Sequence, residues 1–410
     1  MDDRYSPEHR KNFFWQAGSE AYQDAFLAWL FTNHDTAGEL GAFSKYFIEA
    51  LLNGAPGAEG LHLLRVPKID RQMKKSDLVL TAETQEDGPY IIIIEDKVGS
   101  VLHPSKGYAS QLDSYFHAFY SLKASAKLMQ AAKCRLVFYK NQSISRRDAA
   151  IIGSSDRYVA GYYGSGVKAP VWQRLDIDAI RSIFDGFLAG STHFENAILD
   201  SYYQHLVLWH EQYRRILKPD FALTAADIAG PFWNERSWLW DALFERLADT
   251  VCDAETRPRT VIGAYNGNYW ELAVHGHSQQ TALMFNSRDI RALFRGKKQK
   301  HGITLSVNLK HKKYGDLHLP WEKDSDPKKV YRDAARDRYY EAHHAHISGL
   351  TPDQYRIEPV RLSKKKDGHY KNKLAGLIFP IGQCDFASLQ KILTAAVKEY
   401  TEAIDRDIRL

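Results

Sequence analysis

The chain has 410 residues, 44% of them hydrophobic and 12% aromatic, with a formal net charge of +5. This length predicts two domains with substantial cores, and the mild basicity fits a polyanionic partner without requiring one. Three cysteines far apart in sequence (Cys134, Cys252, Cys384) exclude a disulfide scaffold and a cysteine zinc site, no apolar run is long enough to span a membrane, and the polar start predicts a cytoplasmic protein.

In chain order, the first predicted element is a helix around residues 18–31, with Glu20 just ahead of an apolar face of Phe26, Leu27, Leu30 and Phe31. Residues 76–84 alternate as a strand with Asp77 at its start, and residues 83–89 read as a turn. The apolar, β-branched run at 90–94 reads as a strand buried on both faces, ending in Glu95-Asp96-Lys97. Side chains alternate along a strand, so Glu95 and Lys97 face one side and Asp96 the other. A hairpin would lay Asp77 beside Glu95. Two carboxylates next to a lysine can hold Mg²⁺, which polarises a phosphate and acidifies water. Taken alone, Glu-x-Lys at a strand end is more often a solvated edge or an ion pair. Residues 110–120 then read as an amphipathic helix with Gln111 and Tyr115 on one face.

At this point the chain resembles the PD-(D/E)XK nuclease superfamily. The resemblance rests on a helix carrying Glu20, a strand led by Asp77, then IIIIEDK, then a helix with Gln111 and Tyr115, in that order over about residues 15–140. It implies that Asp77 and Glu95 bind Mg²⁺ (or Mn²⁺), joined by a backbone carbonyl next to Val98. Lys97 would assist the attacking water, Glu20 would complete the site, and Gln111 would support it or touch the scissile backbone. Asp24, one turn after Glu20 on the same face, competes for its role, and Tyr115 reads as packing. Where many relatives place a further acid after the ExK strand, this chain has His103, read as a loop histidine or a phosphate contact.

Further along, residues 134–139 read as a core strand, 153–169 as a Gly/Ser/Tyr-rich loop, 171–175 as a strand, and 177–188 and 194–217 as helices. Residues 1–217 are therefore expected to form an α/β domain, a mixed central sheet flanked by helices, restriction-endonuclease-like by resemblance. Lys218-Pro219-Asp220 reads as the joint to a second, α+β domain over 218–410 of no recognised family. There the pattern predicts a Trp-rich helix at 231–247, strands at 269–274, 281–285, 303–309 and 374–380, and a final helix at 386–404. Two basic stretches stand out, one with Lys297, Lys298, Lys300, Lys310, Lys312 and Lys313, the other with Lys364, Lys365 and Lys366. They read equally as phosphate-neutralising loops or as solvated hairpin tips. His343, His344 and His346 lack the spacing of a metal pair and read as a solvated helix end. No phosphate loop or nucleophile elbow is present.

The expected function is a Mg²⁺- or Mn²⁺-dependent nuclease, with DNA favoured over RNA as substrate and endonucleolytic cutting favoured. By analogy alone, the role is that of a bacterial restriction or antiviral defence effector. Two readings compete with it: a nuclease-fold protein that binds nucleic acid or a partner without cutting, and a sensor-effector gated by a ligand or protein. A homodimer is compatible with all three.

Overall fold

The computed structural model describes residues 14, 20–54, 60–73, 76–98, 102, 105–163, 168–230, 232–234, 237–265, 269–275, 281–287, 303–309, 356–359, 373–379, 384–385, 390, 393–394 and 397–398. The chain divides into two compact units, Met1–Tyr213 and Arg214–Leu410.

The first unit is an α/β layer structure. Its elements are α1 (Glu20–Thr32), α2 (Glu39–Asn53), β1 (Leu63–Arg71), β2 (Leu78–Thr84), β3 (Gly88–Lys97), α3 (Gln111–Tyr120), α4 (Lys123–Gln130), β4 (Cys134–Lys140), α5 (Arg146–Ala160), β5 (Trp172–Leu175), α6 (Ile177–Leu188) and α7 (Ala197–Ile216), whose last turn enters the second unit. The five strands form one sheet in the order β1-β2-β3-β4-β5. β1, β2 and β3 pair antiparallel, whereas β3, β4 and β5 pair parallel, so the sheet is mixed. The parallel steps need crossovers, and α3 with α4, then α5, supply them.

Strand alternation sorts the core into two layers. Ile92 and Ile94 of β3, with Val137 and Tyr139 of β4, pack among α1, α2, α6 and α7. Ile91 and Ile93, with Leu136 and Phe138, pack among α3, α4 and α5. A strand covered on both faces needs the unbroken apolar run that residues 90–94 provide. Each buried isoleucine contributes about 1.5–3 kcal/mol through removal from water.

The predicted loop at 153–169 is corrected through Ala160, since α5 runs over Arg146–Ala160. Ser145 caps it by accepting a hydrogen bond from the Asp148 amide, and Ile152, Ser155 and Val159 bury one face. Helical spacing of buried positions outweighs the local Gly-Ser content. β1, α2 and α4 have no counterpart in the predicted elements. β1 contains Pro67 and charged residues with register shifts along it, which blurs its alternation.

His205, on α7, lies near the rings of Phe14 and Trp209. The residue as a whole is only half covered, but its Nδ1 is buried, and burial pushes the imidazole down to about 4. Below about 6.5 the unfolded chain takes up a proton that the folded chain refuses until about 4, so stability falls as pH drops through that window. His205→Gln is expected to remove this part of the acid sensitivity. Melting temperatures of both proteins at neutral and mildly acidic pH would show it; equal acid-induced drops would refute the assignment.

In the second unit, β7 (Thr260–Tyr265), β8 (Tyr269–His275), β9 (Thr281–Asn286), β10 (Ile303–Leu309), β12 (Lys373–Phe379) and β11 (Arg356–Pro359) form an antiparallel six-stranded sheet in the order β11-β12-β10-β9-β8-β7. The predicted helix at 231–247 begins later, as α9 (Leu239–Val251); an earlier short helix, α8 (Ala225–Ala229), and the pair β6 (Ala222–Leu223) with β13 (Cys384–Asp385) complete what is described. Among the described residues, no helix is long and apolar enough to cross a membrane. The lysines of both basic stretches, His103 and the three clustered histidines lie outside the described residues.

Candidate active site

The site is assembled by the β2–β3 hairpin and the start of α3. Antiparallel register sets Leu78 opposite Ile94, which carries Asp77, the residue before β2, next to Glu95. Asp77 is fixed from both ends. Its backbone carbonyl accepts from the Gln72 amide at 3.0 Å, and its Oδ2 accepts from the Asp96 amide at 2.8 Å. Gln72 closes this β1–β2 connection with a φ of 51°, a left-handed value that a non-glycine residue adopts at a cost.

Glu95 and Lys97 share the face covered by α3, α4 and α5, as alternation requires. Lys97 Nζ lies 2.6 Å from Glu95 Oε1 and 4.0 Å from Asp77 Oδ2, and it donates to the Asp96 carbonyl at 2.8 Å. Gln111, the first residue of α3, donates from Nε2 to Glu95 Oε1. Its place depends on the cap just before it. Ser110 and Asp113 exchange hydrogen bonds in a capping box, and Ser155 of α5 donates to Asp113, so the helix start is anchored. Thus Asp77, Glu95, Lys97 and Gln111 meet at one place. Tyr115 is buried on α3.

Glu95 is 1% exposed, and its carboxyl is pushed well above the usual range, first by burial and then by the neighbouring Asp77 carboxyl, with Lys97 pulling the other way. Its Oε2 is buried and has no hydrogen-bond partner. A buried acceptor of this kind, next to a second carboxyl, fits a hard divalent cation, which takes one or two protein carboxylates and fills its remaining positions with water and phosphate oxygens. Among the described residues no group of three or more His, Cys, Asp or Glu side chains is arranged to hold a metal. Val98 follows β3 directly and is half-buried.

Asp96 occupies the opposite face. Gln23 of α1 donates to its Oδ1, and burial together with the Asp24 and Asp77 carboxyls pushes it well above the usual carboxylate range. Tyr139 and Tyr202 join their hydroxyls at 2.7 Å on this side. Glu20 is helical at the start of α1, and its side chain is not among those described. Asp24, one turn on, interacts with Asp96.

The sequence reading passed over a support for the segment after β3. Lys140, which pairs with Lys97 across the β3–β4 register, forms a fully buried ion pair with Asp148 at 2.7 Å. The other oxygen of Asp148 accepts from the Leu102 amide at 3.0 Å. A lysine closing a strand and an acid in the first turn of the next helix were the available signals.

The chain matches no protein-family model, no curated protein and no solved structure.

Proposed function

We propose that the first unit is a restriction-endonuclease-like, PD-(D/E)XK-type nuclease that hydrolyses phosphodiester bonds of nucleic acid, DNA before RNA, in the cytoplasm. The observation that carries this reading is the convergence of Asp77, Glu95, Lys97 and Gln111 at the end of an antiparallel strand pair. A Mg²⁺ or Mn²⁺ ion held by Asp77 and Glu95, with a carbonyl beside Val98, would supply Lewis-acid polarisation of the phosphate and acidify water. The remaining roles belong to the chain. Lys97 places an ammonium between the two carboxylates, where it orients an attacking water or offsets charge developing on the phosphate. Gln111 holds the Glu95 carboxylate in one rotamer, and the Asp96 amide does the same for Asp77. Among the described residues of the site no side chain is poised as a covalent nucleophile, and the attack is assigned to water. A defence role against foreign nucleic acid is compatible with such an enzyme.

The 2.6 Å contact of Lys97 with Glu95 also favours a second reading, in which the pair is a closed ion pair and the unit binds nucleic acid without cutting. One experiment separates the two. Wild-type protein and Glu95→Ala are incubated with plasmid, single-stranded DNA and RNA in Mn²⁺. Cleavage by wild type alone is expected. Absence of cleavage, together with no heat on Mn²⁺ titration, would favour the non-cutting reading.

A further inference from the structure

We infer that the layer formed by α3, α4 and α5 is the surface over which a single strand of nucleic acid approaches the site, its bases stacking on a tyrosine cluster and its phosphates meeting exposed lysines and arginines. The direction of approach rests on the hydrolytic reading above; the binding does not.

The first observation is a set of half-buried rings. Tyr108, His117, Tyr120, Tyr158 and Tyr162 are neither core nor fully exposed. Tyr108 contacts His117 and Tyr158 with ring centroids 5.5 and 6.3 Å apart, and Tyr162 contacts Tyr120 and Tyr158 at 4.9 and 5.3 Å. Hydrogen bonds hold the rings in place: Tyr162 Oη lies 2.8 Å from both His117 Nδ1 and Tyr158 Oη. Rings fixed in advance lose little entropy when a base stacks on them, and stacking tolerates any base. Packing between α3 and α5 would explain the cluster equally well if the surrounding charge were neutral.

The charge is not neutral. Lys106, Lys123, Lys127, Arg146, Arg147 and Arg157 are exposed on this layer and the loop leading into it. Its acids are turned to other uses. Asp113 and Asp148 are buried in the hydrogen bonds described above, and Asp156 accepts from the Trp172 amide. The opposite layer carries no such excess: among the described residues of α1, α2, α6 and α7 up to Tyr213, the exposed charges are Lys45, Asp185 and Glu211. A polyanion is therefore drawn to the face that carries Glu95, Lys97 and Gln111. The ring cluster adjoins the site through one helix. Gln111 opens α3, Tyr108 precedes it by three residues, and Tyr120 closes it about 13 Å along the axis.

The test is binding of fluorescently labelled oligothymidine to the full-length protein in EDTA, where no cleavage occurs. Lys123→Glu/Lys127→Glu/Arg157→Glu is expected to weaken binding at least tenfold and to flatten its salt dependence. Tyr108→Leu is expected to weaken it about tenfold, while Tyr108→Phe binds as wild type. The matching RNA oligonucleotide should lose affinity in the same variants. Unchanged binding by the triple variant would overturn the proposal. So would preference for duplex over single strand, or heparin binding that equals oligonucleotide binding with Tyr108→Leu affecting neither, the mark of a face for any polyanion or an acidic protein. Binding over this face without cleavage in Mn²⁺ would remove the nuclease reading alone, and cleavage with binding indifferent to the triple variant would remove this one alone.

Discussion

Lys97→Ala is expected to lower cleavage about a thousandfold, the scale associated with removing a preorganised group that meets charge developing in a transition state. The variant should still fold. Taking away one partner of a buried ion pair ordinarily costs about 3–5 kcal/mol because a charge is left stranded. Here burial already drives the Glu95 carboxyl toward its protonated form, so it can take up a proton once the ammonium is gone. Lys97→Arg should not restore activity, because a planar guanidinium cannot occupy the place of a compact ammonium between two carboxylates. Plasmid cleavage measured beside circular dichroism decides the matter. A folded Lys97→Ala protein cutting at the wild-type rate would remove the lysine from the mechanism.

The second large effect concerns Asp148. Replacing it with alanine strands Lys140 in a fully buried position, frees the Leu102 amide and removes an acid from the first turn of α5. A cost of about 3–5 kcal/mol is expected, which for a unit of this size lowers its melting temperature by roughly 10 °C. The double variant Lys140→Met/Asp148→Leu should recover most of that loss, since an apolar pair of similar volume leaves no stranded charge. Calorimetric scans of the three proteins test both statements. An Asp148→Ala protein that melts like wild type would mean that water reaches Lys140.

Much of the first unit was legible in the sequence because its signals are local. The isoleucine run at 91–94 announces a strand covered on both faces, and the turn before it announces the hairpin. Alternation then assigns Glu95 and Lys97 to one side and Asp96 to the other, as the structure has them. What escaped depends on contacts distant in sequence. Asp24 and Gln23 were visible on α1, but nothing local says that they meet Asp96, 73 residues after Gln23. The Asp148–Leu102 bond spans 46 residues and connects a helix to a loop. α5 was misread because glycine and serines in its middle look like loop residues, while its cap and buried stripe outweigh them. The tyrosine cluster joins Tyr108 to Tyr158 across two helices, so no window of sequence contains it.

The pairing of β2 with β3 has a consequence for how such a protein can change. Adding or deleting a single residue in the turn at 85–87 could leave both strands intact, yet offset them by one step. Glu95 would then no longer stand beside Asp77, and the neighbour presented to it would come from the wrong side of the ribbon. Point substitutions would silence the proposed chemistry one group at a time, but an indel in this three-residue tip would dismantle it whole. Lineages that keep the activity should therefore vary the composition of that turn freely and its length hardly at all.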